Sequence, residues 1–183
     1  FGPETVETKL TKSGNDFILE GGKKFVFDAR AATSYICAAR TENGQIALIL
    51  ADRNSSGVSV SGIHAGFTIS VAEVRFDKVK VPAGNVISAG AGWRIVENAV
   101  EKALPILCAY QVGACQEIFE FTNEYTRQRV VFGQPIGRFQ RVQDHCVDLS
   151  IALDQARWAT YEVLWKLDSG MLAKGNVHEA KAV

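Results

Sequence analysis

Apolar and polar positions change their rhythm once along this chain, between Pro82 and Gly92. Before it, short apolar runs rich in β-formers, such as Tyr35-Ile-Cys-Ala-Ala, Gln45-Ile-Ala-Leu-Ile-Leu and Val79-Lys-Val, are separated by turn clusters at Ser13-Gly-Asn-Asp16 and Asn54-Ser-Ser-Gly57. That pattern predicts an antiparallel β domain. After it, apolar residues recur at helical spacing through Val96, Val100, Leu104, Leu107, Cys108, Cys115, Ile118 and Phe119, with an interruption at Pro105. A second helix is predicted through Val142, Cys146, Leu149, Leu153, Ala156 and Val163, with Gly170 as its C-cap, and a third from near His178. Strands first and helices afterwards, without βαβ alternation, indicate an α+β, multi-domain chain and exclude a doubly wound sheet. The division predicted is a β domain at 1–85 and a helical domain at 86–183.

Composition narrows the function classes. With 183 residues, 47% of them hydrophobic and 22% charged, the chain can bury a core. Zero net charge and a pI near 7.0 give no electrostatic footprint for nucleic acid or an anionic membrane. The longest apolar run, Ala103 to Cys115, contains Pro105, Tyr110 and Gln111 and is too short to span a bilayer. Cys37, Cys108, Cys115 and Cys146 show no Cys-x-x-Cys spacing and no histidine at ligand spacing, so they read as reduced core thiols of an intracellular protein, with no metal site.

The most specific stretch joins the first two helical patterns: Arg129-Val-Val-Phe132-Gly133-Gln-Pro135-Ile136-Gly-Arg-Phe-Gln140. Gly133 is predicted to close a helix whose last turn carries Arg127 and Arg129, and Pro135 prevents its continuation, so the chain must reverse there. The corner then presents a planar guanidinium suited to phosphate, an apolar plate at Phe132 and an amide at Gln140, a set that could hold a charged, flat cofactor. The alternative is that Arg129 complements a helix C-terminus and Phe132 is core.

The order Arg-x-x-Phe-Gly-x-Pro-Ile-x-x-x-Gln resembles a signature of the acyl-CoA dehydrogenase family. The resemblance extends over the whole chain. Gly14-Asn-Asp-Phe-Ile-Leu-Glu-Gly-Gly-Lys-Lys-Phe25-Val-Phe27 is similar to a segment of the family's middle β domain, Glu73-Val-Arg-Phe76-Asp-Lys-Val-Lys-Val-Pro82 to that domain's end, and Gly90-Ala-Gly-Trp93 to the entry into its C-terminal bundle. It implies an antiparallel, barrel-like middle β domain followed by a helical bundle. It also implies FAD contacts at Arg129, Phe132 and Gln140, made largely with the cofactor of a dimer-related subunit, and a flavin-stacking place for Phe25, otherwise a buried strand residue. Glu101 corresponds to an acidic position that meets the CoA portion, otherwise a solvated helix charge. Val100, Ala103 and Leu107 match positions walling the acyl cavity, although any core helix shows such residues. The activity implied is FAD-dependent α,β-dehydrogenation of an acyl-CoA thioester with hydride transfer to flavin. The implied partners are an electron-transferring flavoprotein and like subunits in a dimer or tetramer, and the implied setting is bacterial cytoplasm or mitochondrial matrix. The family's initial helical domain and the segment delivering its catalytic Glu have no counterpart here, so no catalytic residue is assigned. The chain reads as a fragment, inactive alone.

Several positions depart from the family pattern. Leu104 stands where the family has Arg, Ala103 excludes the arrangement with a base at that helical position, Phe27 replaces a Ser or Thr whose hydroxyl meets the flavin, and Ala65-Gly-Phe-Thr-Ile69 replaces Gly-x-Arg-x-Ser. They point to an unusual substrate or to the alternative reading, a non-catalytic subunit of a heteromeric enzyme that contributes to a partner's FAD site.

Overall fold

Strands dominate the first half of the chain and α-helices the second. The structure, a computed structural model, describes residues 2–64, 70–171 and 174–182. The run at positions 65–69, expected to replace the family's Gly-x-Arg-x-Ser, lies outside the described residues. Strands β1 (Lys9–Ser13), β2 (Asp16–Phe27), β3 (Ser34–Thr41), β4 (Ile46–Asp52), β5 (Val58–Ile63), β6 (Val71–Val81) and β7 (Val86–Ser88) form one sheet in the order β5-β6-β2-β1-β3-β4-β7. The Ser13–Asp16 turn signal is a hairpin corner, with Gly14 at φ 62° and Ser13 opposite Asp16.

One pair departs from the antiparallel expectation: β1 and β3 run parallel, Lys9 opposite Arg40 and Leu10 opposite Thr41. The reason is directional. β2 reverses β1 and β3 reverses β2, so β3 regains the direction of β1 when it lies beside it.

The sheet is curled, as the barrel-like expectation requires. Three strand spacings separate β6 from β3 in the order of the sheet, about 14 Å if flat. Yet the rings of Phe76 and Tyr35 on those strands meet edge to face with centroids 6.4 Å apart. Around them Leu19, Cys37, Ala39, Ile49, Val74, Val79 and Val81 form the buried core, and the Tyr35 hydroxyl donates to the Ala29 carbonyl at 2.7 Å. Full burial of each large aliphatic side chain contributes about 1.5–3 kcal/mol.

β7 pairs with β4, Leu48 opposite Ser88, so the sheet takes in residues beyond position 85. The chain divides into two compact units, Phe1–Glu97 and Asn98–Val183. Gly92, the first residue of helix α1 (Gly92–Gln128), is buried where a Cβ would stand 2.7 Å from the Ile46 carbonyl oxygen, so the helix starts against β4 only because position 92 has no side chain.

α1 runs unbroken through Pro105, contrary to the interruption predicted there. Proline removes the bond to the Glu101 carbonyl, but the Pro105 ring is fully buried and its burial offsets that loss. α2 (Gln140–Asp168) follows, and Gly170, at φ 67°, ends it by donating to the Leu167 carbonyl at 3.1 Å while Met171 donates to Lys166 at 2.9 Å. α3 (Lys174–Ala182) begins before the predicted His178. The three helices share a core of Cys108, Val163, Val177 and Ala180, with Leu104, Ala159 and Leu167 against it.

Cys37 and Cys108 are core residues as expected, Cys146 is half-buried, and Cys115 is exposed, a correction to its assignment as core. Spacing of two turns puts Cys108 and Cys115 on one side of α1, but packing covers only the first. Among the described residues no helix is long and apolar enough to cross a membrane, and no cluster of ligating side chains could hold a metal.

Candidate functional site

The corner between α1 and α2 is built differently from the predicted helix stop. α1 ends at Gln128, and the next residues form a miniature hairpin, strands β8 (Val130–Val131) and β9 (Gln134–Pro135), with Val130 opposite Pro135 and Val131 opposite Gln134. Phe132 and Gly133 are its two central residues, at φ 52° and 79°. Gly133 therefore does not close the helix. It completes a two-residue turn that needs left-handed conformations at both positions. The hairpin twists the chain back, a short 3-10 turn over Ile136–Arg138 follows, and α2 begins at Gln140. The Ile136 amide donates to the Arg129 carbonyl at 2.8 Å, which ties the two ends of the reversal together. Gly137 packs against Thr126, and Gln143 donates its side-chain amide to the Gly137 carbonyl at 2.9 Å, pinning the turn to both helices.

Phe132 stands out energetically. A bulky residue in the left-handed region costs about 1–2 kcal/mol, and this ring is also 92% exposed, with only an edge-to-face neighbour in Phe139 at 6.4 Å. Strain at an exposed aromatic, held by a rigid turn, is the kind of feature that marks a contact surface. Arg129 is exposed on the same corner and its guanidinium has no hydrogen bond or ion pair with another described residue. Gln140 is exposed at the first turn of α2, where the helix has unsatisfied N–H groups, its positive pole and no acidic side chain. The alternative role for Phe132 as core is excluded by its exposure.

A cavity of about 430 Å³ lies beside the corner, lined by Thr126, Arg127, Pro135, Arg138, Gln143 and Cys146 among others. Arg127 and Arg138 are cations that sequence reasoning did not select. The signal was present, since the same signature carries Arg138 two residues before Gln140, but only the hairpin shows that it lines this space.

In the β unit, Phe25 shares the peculiarity of Phe132. It sits at φ 57°, within the register shift between Lys23 and Val26 where β2 bulges against β6, and is 66% exposed. It is not a buried strand residue. Phe27, equally exposed, lines a smaller cavity of about 240 Å³ with Ser34, Ile36 and Cys37. Burial pushes the Cys37 thiol from its ordinary 9.0 up to about 11, only partly countered by the Lys23 ammonium, so it is no nucleophile.

The candidate substrate residues separate by helix geometry. Val100, Ala103 and Leu107, at spacings of three and four, share one face of α1. Ala103 and Leu107 are exposed and Val100 half-buried. Glu101 lies roughly 160° round the axis from Ala103, on the side of Leu104, Pro105 and Cys108. Leu104, about 100° round the axis from Ala103, is partly buried and packs against the helical core of Cys108, Val163 and Val177.

The chain is similar to known proteins in both sequence and fold. The family described as acyl-CoA dehydrogenase, C-terminal domain, matches residues 90–183. The chain is 27% identical over 173 residues to cyclohexane-1-carbonyl-CoA dehydrogenase of Geobacter metallireducens, covering 91% of this chain and 46% of that protein. It is 28% identical over 173 residues to L-prolyl-[peptidyl-carrier protein] dehydrogenase of a Serratia strain, covering 90% and 45%. The structure superposes on butyryl-CoA dehydrogenase of Megasphaera elsdenii with a TM-score of 0.91 at 26% identity, covering 98% of this chain and 50% of that one. The chain thus spans about half the length of the relatives it matches. From its helical half, its curled sheet and its Arg129–Gln140 corner together, the chain belongs to the acyl-CoA dehydrogenase family.

Proposed function

We propose that the protein is an FAD-dependent acyl-CoA dehydrogenase, acting by α,β-dehydrogenation of an acyl thioester. The observation that carries this reading is the corner at which a strained, exposed Phe132 stands near an exposed Arg129 that has no partner among the described residues. FAD fits the donor set: a guanidinium for the pyrophosphate, an aromatic plate, the Gln140 amide and a helix N-terminus that favours negative charge. When bound, FAD supplies the hydride acceptor, the redox step that protein side chains cannot perform.

The chain's own residues bind and orient. Arg129, Phe132 and Gln140 hold the cofactor, with like subunits in a dimer or tetramer sharing the site, and Phe25 presents its ring from the β domain (1–85). From the helical domain (86–183), Val100, Ala103 and Leu107 exclude water from the acyl group, and Glu101 meets the carrier portion of the thioester. No described residue is assigned as the base for the α-proton. Electrons leave to an electron-transferring flavoprotein, in bacterial cytoplasm or mitochondrial matrix. The carrier-protein substrate named for the Serratia relative makes a carrier-bound thioester the second substrate to test.

A second reading, a non-catalytic subunit contributing to a partner's FAD site, draws on Leu104, which gives core packing in place of a charge, and on Phe27, which offers no hydroxyl. Arg129→Ala in the native assembly tests the shared part of both readings: the flavin-to-protein ratio drops several-fold while far-UV circular dichroism is unchanged. Full flavin retention sinks the corner assignment. Bleaching of the flavin absorbance by acyl thioesters separates the enzyme from the silent subunit.

A further inference from the structure

We infer that Tyr110 closes the far end of the acyl site and sets the length of acyl group accepted, an inference that rests on the acyl-thioester reading above. Tyr110 lies two turns beyond Ala103 on α1, within about 20° of it around the axis. It is one turn beyond Leu107 and is 76% exposed, its ring directed away from the Leu104 and Cys108 core. Its hydroxyl has no hydrogen-bond partner among the described residues. The face therefore changes from a small residue at Ala103, through the 48% exposed Leu107, to a projecting aromatic. The distance along the axis from Ala103 to Tyr110 is about 10 Å.

The projecting ring itself is what stops an acyl chain there. An acyl group laid along this face from Ala103 meets the ring after about 10 Å, and its planar surface also suits a short, branched or cyclic acyl group laid against it. Past the ring the same line carries the exposed Ala114 and, about 10 Å on, the exposed Glu117.

The test compares the native assembly of the wild type with Tyr110→Ala and Tyr110→Trp, using acyl-CoAs from butyryl to palmitoyl. Unreactive S-alkyl thioethers of coenzyme A over the same lengths report binding independently of turnover. In the wild type, kcat/KM and affinity fall steeply for chains longer than the distance from Ala103 to the ring. Tyr110→Ala raises the long-to-short preference at least about 10-fold, the scale on which pockets discriminate methylenes, and Tyr110→Trp moves the cut-off to shorter chains. An unchanged profile in both variants of an active or binding-competent protein overturns the role of Tyr110 alone. If sedimentation changes while the profile does not, the ring is an interface residue and the inference is equally overturned. A wild type that neither reduces nor binds any member of either series overturns the acyl-thioester reading itself, and this inference with it.

Discussion

Replacing Phe132 by Asn should make the apo protein more stable while making it a poorer flavin holder. Phe132 occupies the first central position of the β8–β9 turn at φ 52°, followed by Gly133 at 79°. The left-handed conformation costs a bulky L-residue about 1–2 kcal/mol, whereas Asn followed by Gly is the preferred pair for such a turn. Little opposes this gain, since the ring is 92% exposed and buries almost nothing. The loss is the edge-to-face contact with Phe139 at 6.4 Å, worth about 0.5 kcal/mol at so exposed a site. The net expectation is a stabilisation of about 0.5–1.5 kcal/mol, or a rise in Tm of roughly 2–5 °C for a protein of this size. Thermal unfolding of flavin-free protein followed by far-UV circular dichroism measures it, and the flavin-to-protein ratio of the assembled variant measures the functional half. A lowered Tm would show that the ring is packed in solution and that the strain argument fails. A raised Tm with full flavin content would show that the strain exists for some other reason than cofactor contact.

Other expectations follow from burial. Leu104→Arg places a guanidinium against Cys108, Val163 and Val177, losing part of the leucine's packing and desolvating a charge, for a destabilisation of about 2–4 kcal/mol. It should restore no dehydrogenation, and a gain of activity would contradict the packing of this residue against the helical core. Cys37 should resist alkylation in the native protein while the exposed Cys115 reacts first, as peptide mapping after brief labelling would reveal. Because the folded thiol titrates near 11 and the unfolded one near 9.0, the folded state holds its proton more tightly. Stability is therefore complete below pH 9.0 and declines as pH rises towards 11, by at most roughly 3 kcal/mol. Denaturant titrations of wild type and Cys37→Ala across that range should converge if burial of this thiol is the cause.

The sequence alone determined the change from strands to helices, because period-two and period-3.6 patterns are local and each is tied to its own backbone geometry. It also marked the Arg129–Gln140 corner through an ordered set of residue types, and the Ser13–Asp16 and Gly170 turns through chemistry that acts within a few residues. What it could not determine depends on partners distant in sequence. The parallel pairing of β1 with β3 and the meeting of Tyr35 with Phe76 arise only when the sheet curls. Pro105 stays inside α1 because tertiary burial outweighs a local preference to break the helix. Cys108 and Cys115, alike in the pattern, part company because α2 and α3 cover one turn and not the other. At the corner the sequence named Phe132 but placed it after a helix stop, whereas the two-residue turn decided that its ring would stand strained and open to solvent. Leu104 reads as a lost charge in a motif and proves to pack, partly buried, against the helical core, because the direction of a side chain on a helix has meaning only once the neighbouring helices are in place.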